Sequence, residues 1–74
     1  MPNPPIITDP EILGGKPVIA GTRISVDLVL TRLAEGRSLA DIVAEYPHLS
    51  LAQVTAAVDY ARAIVGRPAA EAAE

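Results

Sequence analysis

The chain contains no cysteine, no phenylalanine and no tryptophan, and it has a single histidine, His48. Without cysteine it can form neither disulfides nor thiolate metal sites, and one histidine cannot build a two-histidine site. Its two tyrosines are too few for the aromatic platform on which single-stranded nucleic acid stacks. We therefore predict no metal and no cofactor, and a core built from aliphatic side chains.

Long apolar runs and an excess of positive charge are also missing. No stretch approaches the roughly 20 apolar residues that cross a bilayer, and the N-terminus does not resemble a signal peptide. We therefore expect a soluble, cytoplasmic protein without a membrane partner. The net charge of −3 opposes non-specific DNA binding, although a few arginines on one face could still bind phosphate.

The length of 74 residues limits the chain to one domain. A domain of this size buries only about 60% of the surface that its unfolded chain exposes, so its stability alone is marginal. Since disulfides and metals are excluded, we expect dimerisation to supply the missing stability. We predict an N-terminal extension at residues 1–5, one domain at 6–65 and a flexible tail at 66–74.

Turn-forming residues divide the N-terminal part of the domain into short pieces. Asp9-Pro10, Gly14-Gly15, Pro17 and Gly21 make a helix improbable there. The pieces between them are rich in β-branched residues, which favours two or three short strands with a tight turn at Gly21. The predicted strands are Ile6–Thr8, Pro17–Ala20 and Thr22–Ile24, and they pair either within one chain or across a dimer.

From Ser25 onward the apolar residues follow helical spacing. The first predicted helix runs from Val26 to Glu35, with Ser25 as N-cap and Gly36 as C-cap. Its predicted core residues are Val26, Val29, Leu30 and Leu33.

The second predicted helix begins after Ser38, with Asp41 in a capping-box position, and Pro47 prevents its continuation. Its predicted core residues are Leu39, Ile42, Val43 and Tyr46.

The third predicted helix is the longest. Ser50 opens it with Gln53 in a capping-box position, and Gly66 and Pro68 end it. Its predicted core face consists of Leu51, Val54, Val58, Ala61 and Val65. The predicted fold class is thus mainly α, with short N-terminal strands or a hairpin followed by a three-helix, helix-turn-helix-like bundle.

A short helix, a turn at residues 46–50 and a longer helix is the order found in helix-turn-helix proteins, whose second helix enters the DNA major groove. Any three-helix domain shares that order, so DNA binding is one interpretation among others. The outward positions of the third helix include glutamine, threonine and arginine, which can contact bases, but also Asp59, which repels phosphate. The predicted DNA contacts are Lys16, Arg23, Arg37, Gln53, Thr55 and Arg62. The alternative for Lys16 and Arg23 is that they are ordinary solvated charges.

The features that suggest catalysis have simpler explanations. Gly14-Gly15-Lys16 is not a phosphate-binding loop, because Pro10 and Pro17 occupy positions that require glycine and serine or threonine. His48 follows a helix-ending proline and has no identifiable catalytic partner. The carboxylates of Asp9, Glu11 and Asp41 are explained by turns and helix starts. We therefore predict that the protein is not an enzyme.

The run from Ile7 to Ile24, ITDPEILGGKPVIAGTRI, followed by Tyr46-Pro47-His48-Leu49, resembles the DUF433 family. The resemblance covers residues 6–62. It implies a small helix-turn-helix-like domain behind an N-terminal β segment, and a homodimer. For some members it also implies an antitoxin role, with partners resembling PIN-domain ribonucleases.

Two functional hypotheses follow. In the first, the chain is an antitoxin-like module that binds operator DNA, represses its own operon and neutralises a PIN-like ribonuclease toxin. Arg62 and Arg67 would then contact carboxylates at the toxin's metal site. In the second, it is a stand-alone dimeric protein-interaction domain with no role in DNA binding.

Overall fold

A computed structural model describes residues 4–67 of the chain, and it has the predicted mainly helical architecture. The strands are β1 (Ile6–Ile7) and β2 (Val18–Ile19), with a one-turn 3-10 helix (Leu13–Gly15) between them. The α-helices are α1 (Val26–Ala34), α2 (Leu39–Glu45) and α3 (Leu51–Val65). Residues 1–3 of the predicted extension and 68–74 of the predicted tail lie outside the described residues, so the flexibility of the tail stays a prediction. Within residues 4–67, no helix is both long and apolar enough to cross a membrane.

The two N-terminal strands pair with each other in the same chain. They form an antiparallel hairpin in which Ile6 faces Ile19 and Ile7 faces Val18. The third predicted strand, Thr22–Ile24, is wrong: only a single bridge forms here, between Val18 and Ser25. The reason is a tight turn at Gly21, where φ is 80°. The Thr22 hydroxyl donates to the Ile19 carbonyl at 2.7 Å and accepts from the Ile24 amide at 3.0 Å, so the segment folds on itself.

Helix starts and ends follow the predicted capping residues. The Ser25 hydroxyl accepts from the Leu28 amide at 2.9 Å, and Ser38 and Ser50 form complete capping boxes with Asp41 and Gln53. The first helix ends at Ala34, one residue earlier than predicted. Gly36, with φ of 94°, closes it in a Schellman arrangement, in which the amides of residues 36 and 37 donate to the carbonyls of 33 and 32.

The core is aliphatic, as predicted, and lies between the hairpin and the three helices. Within residues 4–67 its buried apolar members are Val18, Ile19, Ile24, Val26, Val29, Ile42, Leu49, Val54 and Ala57. The predicted face of α2 is confirmed, because Ile42 is buried and Leu39, Val43 and Tyr46 pack against the core.

For three residues the prediction of a core position is wrong. Leu30 is 38% exposed, Leu51 55% and Val65 81%. Leu51 and Val65 lie at the two ends of a 15-residue helix, which extends beyond the 9-residue α1 and the 7-residue α2. Leu30 is at the edge of the α1 stripe, about 100° around the helix from Val29. Ala57, which the prediction omitted, is fully buried instead.

Candidate functional site

The α2–turn–α3 unit presents one side of α3 to solvent. Leu49, in the turn, is 3% exposed, and its amide donates to the Tyr46 carbonyl at 2.9 Å. This buried leucine anchors the turn and fixes the start of α3 at Ser50. On α3, Thr55, Asp59 and Arg62 are exposed, at the spacing of successive turns on one face.

Three of the predicted DNA-contacting cations are paired with the chain's own carboxylates. Lys16 Nζ lies 3.4 Å from Asp27 Oδ2. Arg37 Nη1 lies 2.6 Å from Glu45 Oε1. On α3 itself, Arg62 Nε lies 3.0 Å from Asp59 Oδ1. These pairs reduce the positive potential that the chain offers to a phosphate backbone.

The other predicted contacts differ in their environment. Gln53 is half-buried, and its side-chain oxygen accepts from the Ser50 amide at 2.7 Å, so the capping box occupies it. Thr55 is exposed on α3. Arg23 and Arg67 are exposed, and neither has an acidic partner within residues 4–67. The predicted residues are therefore divided among α3, the N-terminal segment and the α1–α2 connection.

A charge network that the sequence analysis did not anticipate joins α1 to α2. Arg32 Nη1 lies 3.3 Å from Glu35 Oε1, and Arg32 Nε lies 3.6 Å from Glu45 Oε1. Glu45 also pairs with Arg37, so one carboxylate joins two arginines. The Tyr46 hydroxyl, followed by Glu35 and Glu45, raises the pKa of Arg32, against the opposing effect of burial. We interpret this network as structural, because its arginines and glutamates are paired within the chain, although the buried Arg32 Nε has no hydrogen-bond partner among the described residues.

An apolar groove lies along the outer side of α3. Its volume is about 500 Å³. Pro4, Pro5 and Ile6 line it from the N-terminal segment. The positions that line it from α3 and its C-terminal end are Ala56, Asp59, Tyr60, Ala63, Ile64 and Arg67.

The sequence contained a signal for this groove. The α3 lining positions recur at intervals of three and four residues, which is the spacing of one helical face. They form a second stripe beside the one that packs into the core. The predicted core face was a single stripe and Asp59 was placed among the outward positions, so the second apolar face was not predicted.

The lining of the groove resembles that of a protein-contact surface. Within residues 4–67 there is no group of three or more histidine, aspartate or glutamate side chains placed to hold a metal ion. The groove is lined mainly by proline, alanine, isoleucine and tyrosine side chains, with one carboxylate and one guanidinium among them. Apolar surface with a charged rim is typical of protein–protein contacts.

Comparison with known proteins agrees with this architecture. Residues 6–61 match the family described as "Protein of unknown function (DUF433)". The chain belongs to the DUF433 family. The match includes the hairpin and all three helices up to Ala61 of α3, and it ends before Ala63, Ile64 and Arg67 of the groove.

Two relatives contain the matching region within longer chains. The chain is 36% identical over 58 residues to the protein named "Uncharacterized protein y4eO" from Sinorhizobium fredii, covering 78% of this chain and 26% of that protein. It also matches the crystal structure of a DUF433 member protein from Anabaena variabilis, with a TM-score of 0.74 and 31% identity. That match covers 78% of this chain and 57% of the other. The chain thus spans only part of the length of both relatives.

Proposed function

We propose that this DUF433 domain is a protein-binding module of the antitoxin-like type, and that the groove along α3 is its main protein-docking surface. The groove itself carries this proposal, because it joins apolar side chains of α3 to those of Pro4, Pro5 and Ile6 on one open surface. Patches of this kind on soluble domains mark interaction sites. The paired cations and the net charge of −3 favour a protein partner over nucleic acid alone.

The finer form of the proposal is that the protein partner of the assembled module is a PIN-like ribonuclease toxin. A ribonuclease that binds RNA has a basic surface, which an acidic chain complements. Arg62 and Arg67 are the candidate contacts to carboxylates at the toxin's metal site. Arg62 is exposed and lies outside the groove, whereas Arg67 lines the groove's C-terminal end.

A direct test combines capture with an activity assay. The tagged chain is recovered from its native cells with and without nuclease, and the co-purifying protein is identified, purified and assayed for RNA cleavage. We expect a ribonuclease in both samples, and loss of its cleavage activity when the chain is added in stoichiometric amount. Arg62→Asp should weaken inhibition, whereas the control Arg23→Asp, a charge reversal on the N-terminal segment, should not. If no ribonuclease is inhibited, neutralisation is excluded and the stand-alone interaction domain is the function that remains.

Operator binding is a second candidate function, supported by the helix-turn-helix order and by the exposure of Thr55 and Arg62 on one face of α3. Fluorescence anisotropy with DNA from upstream of the gene tests it. Arg62→Ala should weaken binding to all DNA sequences, and the slope of the logarithm of the binding constant against the logarithm of the salt concentration should become smaller by about one. Thr55→Ala should instead alter discrimination between sequences. Binding that is unaffected by both substitutions would exclude α3 as the DNA-contacting helix.

A further inference from the structure

We propose that the outer edge of β1 and the groove beside it bind an extended segment of another protein, which adds a strand to the hairpin. This inference rests on the proposed function, because it states how the docking groove holds its protein partner. The bound segment is defined by its chemistry: about four residues in a β conformation, with apolar side chains at every second position. The backbone of β1 and its place beside α3 carry the inference.

The backbone groups of β1 alternate between the two sides of the strand. The Pro5 carbonyl accepts from the Ala20 amide at 2.9 Å, and Ile6 lies opposite Ile19 at the next position of the antiparallel ladder. Hydrogen-bonded and non-hydrogen-bonded pairs alternate in such a ladder, so the amide and carbonyl of Ile6 point away from β2. No other strand pairs with them in the described part of the chain. The same alternation gives Thr8 an outward-facing amide.

The opposite edge of the hairpin is already covered within the chain. The Ile19 amide donates to the Ile24 carbonyl at 2.9 Å, and the Val26 amide donates to the Pro17 carbonyl at 2.9 Å. Charged side chains often protect an open strand edge, but β1 and its flanking residues, PPIIT, carry no charge. Proline protects this edge only in part, because the ring nitrogen of Pro5 faces β2. The open edge of β1 is therefore able to pair with another strand.

The groove lies where an added strand would pack. Ile6 packs against the core, and it also lines the groove together with the outer side of α3. Neighbouring strands lie about 4.8 Å apart, so a strand beyond β1 would lie over that outer side. Its inward side chains would contact Tyr60, Ala63 and Ile64. Ile64 is 44% exposed in the single chain, so its side chain has apolar surface to bury.

The length of the groove matches a short strand. From Ala56 to Ile64, α3 rises by about 12 Å, and about four residues of extended chain cover the same distance. Alternate side chains of that segment point toward α3, and the others point away from it and can be polar. The lining is mainly apolar, with Asp59 and Arg67 as its charged members, so apolar side chains at the inward positions complement it.

An extended segment of another protein fits this surface better than a helix or a second copy of the chain. A helix satisfies its own backbone groups, so it would leave the Ile6 amide and carbonyl without a protein partner. A second β1 would bring Pro4, Ile6 and Thr8 to the alternate positions. Among these only the isoleucine combines a large aliphatic side chain with high β propensity. The free edge and the apolar lining therefore favour a segment of different sequence.

Peptide selection on the full chain tests the spacing. The probe is a displayed library of short random peptides, from which the tightest binder is synthesised. We expect apolar residues at i, i+2 and i+4 in the enriched peptides, which is the period of a strand. Apolar residues at i, i+3 and i+4 would show a bound helix and overturn the proposal, as would the absence of any enriched peptide.

Two pairs of variants locate the bound peptide, with affinities measured by fluorescence anisotropy. Ala63→Arg places a large charged side chain in the groove and should weaken peptide binding by at least about tenfold. The matched Ala44→Arg, at an exposed alanine of α2 outside the groove, should bind normally. Thr8→Pro removes an outward amide from an exposed residue and should weaken binding by about fivefold, whereas Thr8→Ala keeps that amide and should not. Equal affinities within either pair would contradict the proposed position of the strand.

Hydrogen exchange examines the edge in the unaltered chain. Binding of the peptide should slow exchange of the Ile6 amide, whereas the Ile7 amide, which faces β2, should already exchange slowly and change little. Unchanged exchange at Ile6 would overturn the added strand. Slow exchange at Ile6 that appears with rising protein concentration, before peptide is added, would assign the edge to a second copy and also overturn it.

These experiments are independent of the proposed inhibition of a ribonuclease, because no ribonuclease is present. A chain that binds peptides along β1 but inhibits no ribonuclease would retain the added strand and lose the antitoxin-like role. A chain that binds only helical peptides would retain a docking groove and lose the added strand.

Discussion

The inner and outer sides of α3 both carry apolar side chains, but their surroundings are very different. The inner side contributes Val54 and Ala57, both fully buried, with Val58 and Ala61 partly buried against the core. The outer side contributes alanine, tyrosine and isoleucine to a groove that is open in the single chain. The comparison shows that apolar periodicity identifies faces that need a partner, while the length and position of neighbouring elements decide which face is covered within the chain.

Charged groups show the same contrast. On the α1–α2 side, Glu45 joins Arg32 and Arg37 from different parts of the chain, and its side chain is 35% exposed. On the outer side of α3, Asp59 and Arg62 form an isolated pair between neighbouring turns, and both are largely exposed. The first arrangement holds two helices together, whereas the second leaves its charges accessible to another molecule.

An alanine-to-leucine substitution on each side of α3 should give the largest difference between the buried inner side and the open outer side. Ala57→Leu adds volume where the alanine is fully buried, and we expect a loss of about 1–3 kcal/mol in the free energy of unfolding. Ala63→Leu adds the same volume on the open side and should change the unfolding of the monomer by no more than about 0.5 kcal/mol. Urea unfolding measures both, at concentrations where sedimentation shows a monomer.

In protein binding at the groove, the order should be reversed, with Ala63→Leu having the larger effect. Ala63→Leu adds volume inside the groove and should weaken binding of a protein partner there, whereas the matched Ala57→Leu should affect binding only through stability. Equal losses of stability for the two variants would show that the inner and outer sides are not distinguished as described.

Removing one carboxylate from each side is the second test, with a smaller expected effect. Glu45→Gln leaves Arg32 and Arg37 without their shared carboxylate. We expect it to lower the free energy of unfolding by up to about 1 kcal/mol. Asp59→Asn removes an exposed pair within one helix and should cost at most about 0.5 kcal/mol. Thermal unfolding at low and high salt measures both, and the Glu45→Gln loss should shrink as salt screens the pairs. A larger loss from Asp59→Asn would contradict the distinction between the two networks.

Local signals in the sequence predicted the framework of the fold. Ser25, Ser38 and Ser50 start the three helices as predicted, because a side-chain cap depends only on residues within one turn. Gly36 ends the first helix for the same kind of reason. The two strands were also predicted, but the sequence left open whether they pair within one chain. That choice depends on contacts between residues distant in the sequence, such as Ile6 with Ile19, and on the helices beneath them.

The features that sequence analysis missed all depend on tertiary placement. Leu51 and Val65 have the correct helical spacing for the core, but their exposure follows from the shorter lengths of α1 and α2. The link from Glu45 to Arg32 and Arg37 joins residues from two helices and their connection, which no local pattern specifies. The groove needs the N-terminal prolines beside the end of α3, so its lining could not be assembled from α3 alone.

The smallest expected effect concerns the acid dependence of the α2 cap, which lies outside the groove. The Asp41 carboxylate accepts from the Ser38 amide at 2.9 Å, and its hydrogen bonds with Ser38, helped by Arg37, lower the pKa of Asp41. A carboxyl group whose pKa is lower in the folded state adds stability that is present above its unfolded pKa, near 3.9, and is lost as the pH falls through the folded value. Asp41→Asn should therefore be less stable than the wild type at neutral pH, and the difference should disappear in acid.

Urea unfolding of both proteins at neutral pH and at about pH 3 measures this difference, and an NMR titration should place the Asp41 midpoint below the ordinary aspartate value. Ser38→Ala is the matched variant, because it removes the hydroxyl but keeps the backbone amide that donates to Asp41. In Ser38→Ala, the pKa of Asp41 should rise only part of the way toward the ordinary aspartate value. Since the cap lies outside the groove, neither variant should alter protein binding at the groove by the folded chain, and weaker binding would show that the two regions are coupled.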